Sequence, residues 1–400
     1  MRSPPKAPPA VAFSTAAASV QETRGYRFLT PVFGGGVTPQ AFDPVTPVRV
    51  ASIRGQLRFW WRAVNPRGCE TVEALRAAEA EVFGSTKAAS ALVVRVSRDP
   101  GPPTPVPVLR DGDRFRTEAG MEAVAYGAFP LRAEEKPFCH GKVWDFGART
   151  FELTYSFPER VTRDVHAALW AWAHVGGLGG RTRRGFGAIA QLSPRLPSLE
   201  EGWKDFVAAK QVPWPHLVER PTVGKASSAG DGRDALTRLL GALRKLRQGE
   251  GVGRRRGQGS VPGRSYWPEP DAIRRRFPEQ VGEKHRTPVT DDDCFPRAHF
   301  GAPIIFHFKD QGIDPRDSTL RPKNHHRLAS RLILRPHQDA KEPVAAMALV
   351  LAHPEPCGGY VLVQGDTEFD VAISLSRPLA LGDPSLLTDP IQRFLEELNK

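Results

Sequence analysis

The chain is predicted to be an α+β protein whose first half is ferredoxin-like and whose second half is a less regular α+β domain. Two observations predict this. The first half reads strand, helix, strand, strand, helix, strand, the order of a split βαβ unit. From about Gln211 the composition shifts, and short apolar strands follow with a long amphipathic helix on one side and a closing helix on the other. Residues 1–22 read as a flexible arm, 23–210 as the first domain and 211–400 as the second.

Each element has a local reason. Tyr26-Arg27-Phe28-Leu29-Thr30 is a first strand, closed by Pro31 and the Gly34-Gly35-Gly36 turn. Ser52 is an N-cap candidate for a helix running to the break at Pro66. Ile53, Leu57, Trp61 and Val64 keep helical spacing there, while Arg54, Arg58 and Arg62 form a separate stripe. Glu70 to Glu81 continues as a helix, and Ala91 to Val96 is a β-branched strand. Asp99 to Lys142 is rich in Pro and Gly and reads as an elaborated loop with short strands. Arg149 to Phe157 alternates as a strand, and Thr162 to Val175 is a helix with Gly176 at its expected left-handed end. Phe186 to Leu192 is the last strand of the first domain.

In the second half, Asp231 to Gln248 is a leucine-faced helix, and the Gly- and Arg-rich segment 249–263 reads as mobile. Pro270 to Phe277 is a short helix candidate. Strands are expected at Pro303 to Phe308, Ser330 to Leu334, Val344 to Leu351, Tyr360 to Val363 and Phe369 to Ile373. Asp389 caps a closing helix with Pro390 in its first position.

Composition narrows the function. Lys and Arg outnumber Asp and Glu by 56 to 44, and the isoelectric point is about 9.8. That balance suits an anionic partner, nucleic acid before a membrane surface, or else reflects an Arg-rich genome. Cys69, Cys139, Cys294 and Cys357 are scattered without a C-x-x-C pair, which argues against a zinc ribbon and fits a reduced cytosol. No apolar run approaches the roughly 18 residues that span a bilayer, and the prolines near the start do not suit a signal peptide.

The stretch Gly176 to Gly187, GGLGGRTRRGFG, carries the strongest chemical signal. Six of its twelve residues are glycine and three are arginine. Gly176, Gly177, Gly179, Gly180 and Gly185 allow close backbone approach, Arg181, Arg183 and Arg184 bring forked positive charge, and Thr182 and Phe186 complete the loop. The loop follows a helix and precedes a strand, the reverse of a dinucleotide fingerprint, and neither that spacing nor a P-loop's is met. A polyanion backbone is the expected guest. Arg54, Arg58 and Arg62 form a possible second wall, although a solvated face or an ion pair with Glu79 or Glu81 also suits them. Phe59, Trp60 and Phe186 are candidates for base stacking, with core packing as the plainer role. Arg254, Arg255, Arg256, Arg264 and Arg297 are further candidates for phosphate contact.

The histidines, among them His140, His166, His174, His299, His307, His325 and His326, lie in no recognisable catalytic neighbourhood. Asp291-Asp292-Asp293 suits a divalent ion less well than a solvated turn. No catalytic residue, metal or cofactor is expected.

SIRGQLRFWWRAV and GRTRRGFG, with LTPVFGGG, EAEVFGST, GRSYWPEPDAIRR, FPRAHFGAPIIFHF and RLASRLILRP, resemble the RAMP superfamily of CRISPR-associated proteins. The series occurs in order over most of the chain and is most similar to the first-subunit family of the type III-B (Cmr) effector complexes. The resemblance implies two RAMP domains of ferredoxin-like (RRM-like) fold, a glycine-rich loop before the last strand of the first, and no catalysis. It implies guide RNA, held at its 3′ region, target RNA and the other Cmr subunits as partners. The alternative within the superfamily is a metal-independent endoribonuclease that processes guide RNA.

Overall fold

Strand β1, Ser19–Phe28, lies inside a four-stranded antiparallel sheet with β2, Val93–Arg98, β3, Thr150–Pro158, and β4, Ile189–Ser193. The sheet order is β2-β3-β1-β4, so each strand-helix-strand unit leaves a gap that a strand of the other fills. The structure is a computed structural model and describes the chain except residues 1–18, 37–42, 44, 107, 112–113, 118–121, 129–142, 209, 220–222, 228–229, 259–262, 309, 311, 340–341, 375–388 and 400. The strand pairings, Ser19 with Pro158 through Arg27 with Thr150, and Phe28 with Ile189, are all antiparallel.

The period-two pattern of β3 explains its face. Phe151, Leu153, Tyr155 and Phe157 alternate inward and are buried. Helices α1, Val50–Val64, α2, Val72–Phe83, and α3, Thr162–Val175, complete the layer. Ile53, Leu57, Trp61 and Val64 of α1 share one core with Val165, Leu169 and Trp172 of α3. Tyr26 stacks on Phe151 at 5.3 Å and meets the edge of Trp172 at 5.2 Å. Each aromatic buried in this way contributes about 2–3 kcal/mol of hydrophobic free energy. Polar atoms are paired as well: Trp61 Nε1 donates to Asp164 at 2.9 Å, and Arg67 grips the same carboxylate.

Several expectations for the first half are corrected. Strand β1 begins at Ser19, so residues 19–22, expected in the arm, pair with β3; the ladder holds a stretch that has no apolar alternation. Residues 1–18 of the arm lie outside the described residues. The N-cap of α1 is Arg49, with Ser52 already inside the helix. Gly176 is not left-handed: its φ is −94°. A Cβ there would lie 2.4 Å from Trp60 Nε1, so space and not conformation calls for glycine. Strand β4 starts at Ile189 rather than Phe186 because the loop needs residues up to Gly187 to close. A helix that periodicity did not announce, α4, Leu199–Phe206, opens on a capping box of Ser198 and Glu201.

Among the described residues the second half forms two sheets. Strands β5, Val223–Ser227, β8, Leu332–His337, and β9, Ala345–Val350, pair in the order β5-β9-β8. Helices α5, Gly232–Gln248, and α6, Pro390–Asn399, pack with this sheet. Strands β6, Ile304–Phe306, β7, Ser318–Pro322, β10, Tyr360–Gln364, and β11, Thr367–Val371, form a separate sheet in the order β6-β7-β10-β11. Its own core holds Phe277, Phe295, Phe306, Leu320 and Leu362. All five expected strands are present, divided between the two sheets, while β5 and β7 had no apolar pattern to announce them. The segment expected to be mobile is hydrogen-bonded where it is described: Gly253 and Arg254 amides donate to Gly249, and Arg255 N donates to Arg264 O at 2.8 Å.

The two halves share their cores. Leu236, Leu239, Leu240 and Leu243 of α5 cluster with Leu29, Phe186 and Ala188 of the first half. Asp231 caps α5 by accepting from Arg233 and Asp234 amides at 2.7 and 3.2 Å. Among the described residues no helix is long and apolar enough to cross a membrane.

Two glycines give contrasting tests of this packing. Gly187 has φ +63°, and an added Cβ would lie 1.9 Å from Leu178 O. Gly187→Ala is expected to lower stability in urea unfolding by about 2 kcal/mol or more. Gly241 sits inside α5, and nothing lies within 4 Å of where an added methyl group would project. Gly241→Ala is expected to raise stability by about 0.5–1 kcal/mol.

Candidate nucleic-acid interface

The glycine loop is built by hydrogen bonds that fold it onto the protein itself. Leu178 N donates to Gly187 O at 2.9 Å, Gly187 N to Pro31 O at 2.8 Å, and Gly180 N to Phe33 O at 2.7 Å. Gly179 has φ +74°, and a Cβ there would meet Val32 Cγ1 at 2.7 Å. Gly177 is confined by the backbone oxygen of Gly187 at 2.6 Å, and Gly185, at φ +85°, lies against Leu236 Cδ1 at 2.7 Å. The glycines therefore serve the protein's own close packing first. What the loop leaves open is its tip. Arg181 takes φ +54°, and among the described residues the amides of Arg181, Thr182 and Arg183 have no acceptor. Successive unpaired amides beside a left-handed residue form an anion-attracting concavity.

The loop arginines are half-buried and meet carbonyls and rings. Arg181 donates to the Gly127 carbonyl and lies 5.7 Å from the centre of the Phe33 ring. Arg183 donates to the Ser330 carbonyl and lies over Phe59 at 5.4 Å. Arg184 donates to Phe300 O at 2.8 Å and approaches Ser330 Oγ at 3.4 Å. In addition Leu334 N donates to Arg183 O at 3.0 Å, which ties the loop to β8.

Charge is left uncompensated there. Among the described residues no carboxylate forms an ion pair with Arg181, Arg183, Arg184 or Arg247. Burial draws the pKa of Arg181 and of Arg184 down to about 10, and that of Arg183 down as well. For Arg184, repulsion from Arg247, Arg181 and Arg183 adds to burial. Clustered cations in a partly dry site without an acid are stabilised when an anion joins them. Arg247, from the last turn of α5, was not foreseen as a member; its position at the end of a predicted helix gave no sign that the turn faces the loop.

The arginine stripe of α1 has a different role. Arg58 Nε donates to Glu79 Oε1 at 2.6 Å, Arg62 to the same carboxylate at 3.0 Å, and Arg54 to Phe83 O at 3.1 Å. Glu79 is buried, so Arg58 and Arg62 share one buried acid on α2 while Arg54 meets only a backbone carbonyl. The stacking candidates change too. Phe186 and Trp60 are buried and cannot present a ring face to a base, whereas half-buried Phe59 carries Arg183 above it.

The second-half arginines divide into two groups. Arg264 pairs with buried Asp271 at 2.6 Å, and Arg297 sits beside buried Glu269 at 3.1 Å and over Phe306 at 5.1 Å. Arg255 and Arg256 are exposed, and Arg254 is half-buried. A cleft of about 450 Å³ is lined by Arg247, Arg254, Arg264, Arg297 and Phe308, among others. Arg247 therefore connects the loop cluster to three of the five arginines singled out in the second half. The acidic turn is engaged elsewhere: Asp293 pairs with Arg276.

Residues 26–190 match the RAMP superfamily profile. The CRISPR system Cmr subunit Cmr1-2 of Pyrococcus furiosus is 26% identical over 179 residues, which is 40% of this chain and 89% of that protein. Cmr1-1 of the same organism is 29% identical over 155 residues, 38% of this chain and 43% of that protein. Among solved structures, apo Cmr1 from Pyrococcus furiosus aligns with a TM-score of 0.45 at 16% identity, covering 87% of this chain and 92% of the other. A chain of the type III-B Cmr-beta complex bound to cognate target RNA aligns with a TM-score of 0.47 at 12% identity, covering 95% of this chain and 98% of the other. Residues 26–190 of the chain match the RAMP superfamily, and the chain is similar to Cmr1 subunits of the Pyrococcus furiosus CRISPR system.

Proposed function

We propose that the chain is a non-catalytic RNA-binding subunit of a type III-B CRISPR effector complex, built on two ferredoxin-like RAMP domains. In this reading it holds the 3′ region of the guide RNA, helps capture complementary target RNA, and works in the cytoplasm beside the other Cmr subunits. The observation that carries the reading is the group of Arg181, Arg183, Arg184 and Arg247, which faces no carboxylate partner among the described residues. The unpaired amides of residues 181–183 lie at the same loop tip. An RNA backbone supplies closely spaced negative charge and acceptor oxygens to both. The two-domain assignment is supported by topology: β5-β9-β8 has the same adjacency as β1-β3-β2, with a helix after the first and third strands of each set.

Contacts of this kind position RNA without reading its sequence; base pairing with the guide provides specificity. The cleft lined by Arg247, Arg254, Arg264 and Arg297 extends the basic track into the second half, and exposed Arg255 and Arg256 lie beside it in sequence. Non-catalysis is favoured by how the histidines are engaged. His166 faces Glu22 at 3.3 Å, His174 faces His337 at 2.9 Å, and His307 pairs with Asp317 at 2.6 Å. Among the described residues none of these contacts pairs a histidine with a hydroxyl or thiol nucleophile.

Arg181→Gln combined with Arg183→Gln is expected to reduce the salt dependence of RNA binding by roughly 0.7 in log–log slope for each single-strand phosphate that is no longer neutralised. Thermal unfolding run in parallel separates weakened RNA binding from a disturbed loop. An unchanged slope in a folded double variant contradicts the proposal. The α1 stripe is expected to behave in the opposite way. Glu79→Gln is expected to lower stability by about 1–3 kcal/mol, the range for stranding partly exposed cations beside a buried site. Arg58→Gln is expected to leave the salt slope of RNA binding unchanged.

A further inference from the structure

Three side chains of metal-binding type meet between the two halves, away from the loop arginines. His174 lies in the last turn of α3, His337 ends β8, and Asp339 follows two residues later. The two imidazoles are buried and face one another, His174 Nδ1 lying 2.9 Å from His337 Nε2. One ligand atom from each of the three residues falls within 4.8 Å of the other two.

The surroundings orient these groups. His174 Nε2 lies 3.0 Å from Pro197 O. A carbonyl only accepts, so Nε2 carries the proton and Nδ1 turns its lone pair toward the cluster. The Asp339 carboxylate is held by the Leu199 amide at 2.9 Å. A far ring nitrogen fixed by a backbone carbonyl, and a carboxylate fixed by an N–H, are the outer contacts that orient metal ligands. Burial draws the pKa of both imidazoles down, toward the neutral form that binds metal. In the metal-free pair His337 Nε2 donates to His174 Nδ1; with a cation between the rings that proton moves to His337 Nδ1, which has no protein partner among the described residues and calls for a water.

We propose that His174 Nδ1, His337 Nε2 and the Asp339 carboxylate bind a divalent cation of the zinc class and so clamp α3 of the first half to the end of β8 in the second. Two imidazoles and one carboxylate favour zinc and its transition-metal neighbours over magnesium or calcium. Tetrahedral zinc with bonds of about 2.0–2.1 Å sets two ligand nitrogens roughly 3.3 Å apart, so the rings need to separate by only a few tenths of an ångström. A cavity of about 280 Å³, lined by His174, Gln191, Arg195, Gln338 and Asp339 among others, leaves room for water as a further ligand. Three protein cations lie near the site: buried Arg335, which donates to four carbonyls, Lys225, which pairs with Glu342 at 3.3 Å, and exposed Arg195, which lines the same cavity. The other cluster of this kind, His285 with Asp310 and Asp314, is less suited, because Lys284 already pairs with Asp310 and Arg274 with Asp314.

The test uses the full chain stripped of metal by dialysis against a chelator, then titrated with zinc chloride by calorimetry and with cobalt chloride by visible absorption. One equivalent of zinc, a Co²⁺ ligand-field band of low-symmetry intensity and a raised melting temperature are expected. Asp339→Asn, a conservative change at a half-buried residue, is expected to weaken binding at least tenfold, since loss of even an outer contact of a metal costs about 10–100-fold. Asp310→Asn is expected to bind zinc as the parent does. A parent chain that takes up no zinc, or an Asp339→Asn variant that binds it equally well, overturns the site. Loss of binding in Asp310→Asn also overturns it, by locating the cation at the other cluster.

Discussion

The buried guanidinium of Arg335 is the contact on which the arrangement of the two halves depends. It reaches from β8 to the end of α3 and donates to the carbonyls of Ala173 at 2.6 Å, His174 at 3.2 Å and Gly176, and to Ile189 O of β4 at 2.7 Å. The last carbonyls of a helix have no partners within it and carry the negative end of its dipole, so a cation there is favourable twice over. Burial works against the charge, drawing the pKa down to about 9, and no carboxylate offsets it among the described residues. The helix end and the first residue of β4 do so instead. These are the two elements that the glycine loop connects.

With both ends of the loop fixed, its interior is determined by close packing. Gly187 lies against Leu178, Gly179 against Val32, and Gly185 against Leu236 of α5. This geometry directs Arg183 and Arg184 toward the second half, where they meet Ser330 and Phe300. The same arginines therefore contribute to structure and to the surface potential. A guanidinium has five donors, and one or two carbonyl contacts leave others to meet a phosphate. In the α1 stripe, by contrast, Arg58 and Arg62 share the carboxylate of Glu79. The two sets of arginines thus differ in their surroundings, carbonyls and rings for the loop and a shared buried acid for Arg58 and Arg62.

Much of the fold was legible because its local signals were strong. Helix α3 spans Thr162–Val175 as its apolar spacing predicted, and Asp231 and Asp389 each accept the amide bonds expected of caps. Helix α4 was legible and missed, since Ser198 and Glu201 already spelled a capping box. Strand β5 was not legible: Val-Gly-Lys-Ala-Ser has no alternation, and its strand form comes from pairing with β9 more than a hundred residues away. The candidate site divides in the same way. Its glycine and arginine content stood out in the sequence, and Glu79 was foreseeable as a partner of the α1 stripe. That Arg183 and Arg184 would reach Ser330 and Phe300, that Phe186 would be buried, and that Arg247 would join the cluster all depend on contacts between distant residues. Periodicity and motif spacing hold no information about those.

The central claim is that RNA is held at the loop tip and along the cleft that Arg247 joins to it, and not on the α1–α2 face. Ultraviolet crosslinking of the assembled complex to guide and target RNA, with the crosslinked peptides identified by mass spectrometry, tests it most directly. The account predicts crosslinks in peptides spanning residues 178–187 and 247–264. Crosslinks confined to the peptides carrying Arg54, Arg58 and Arg62, with none in the loop, would contradict it.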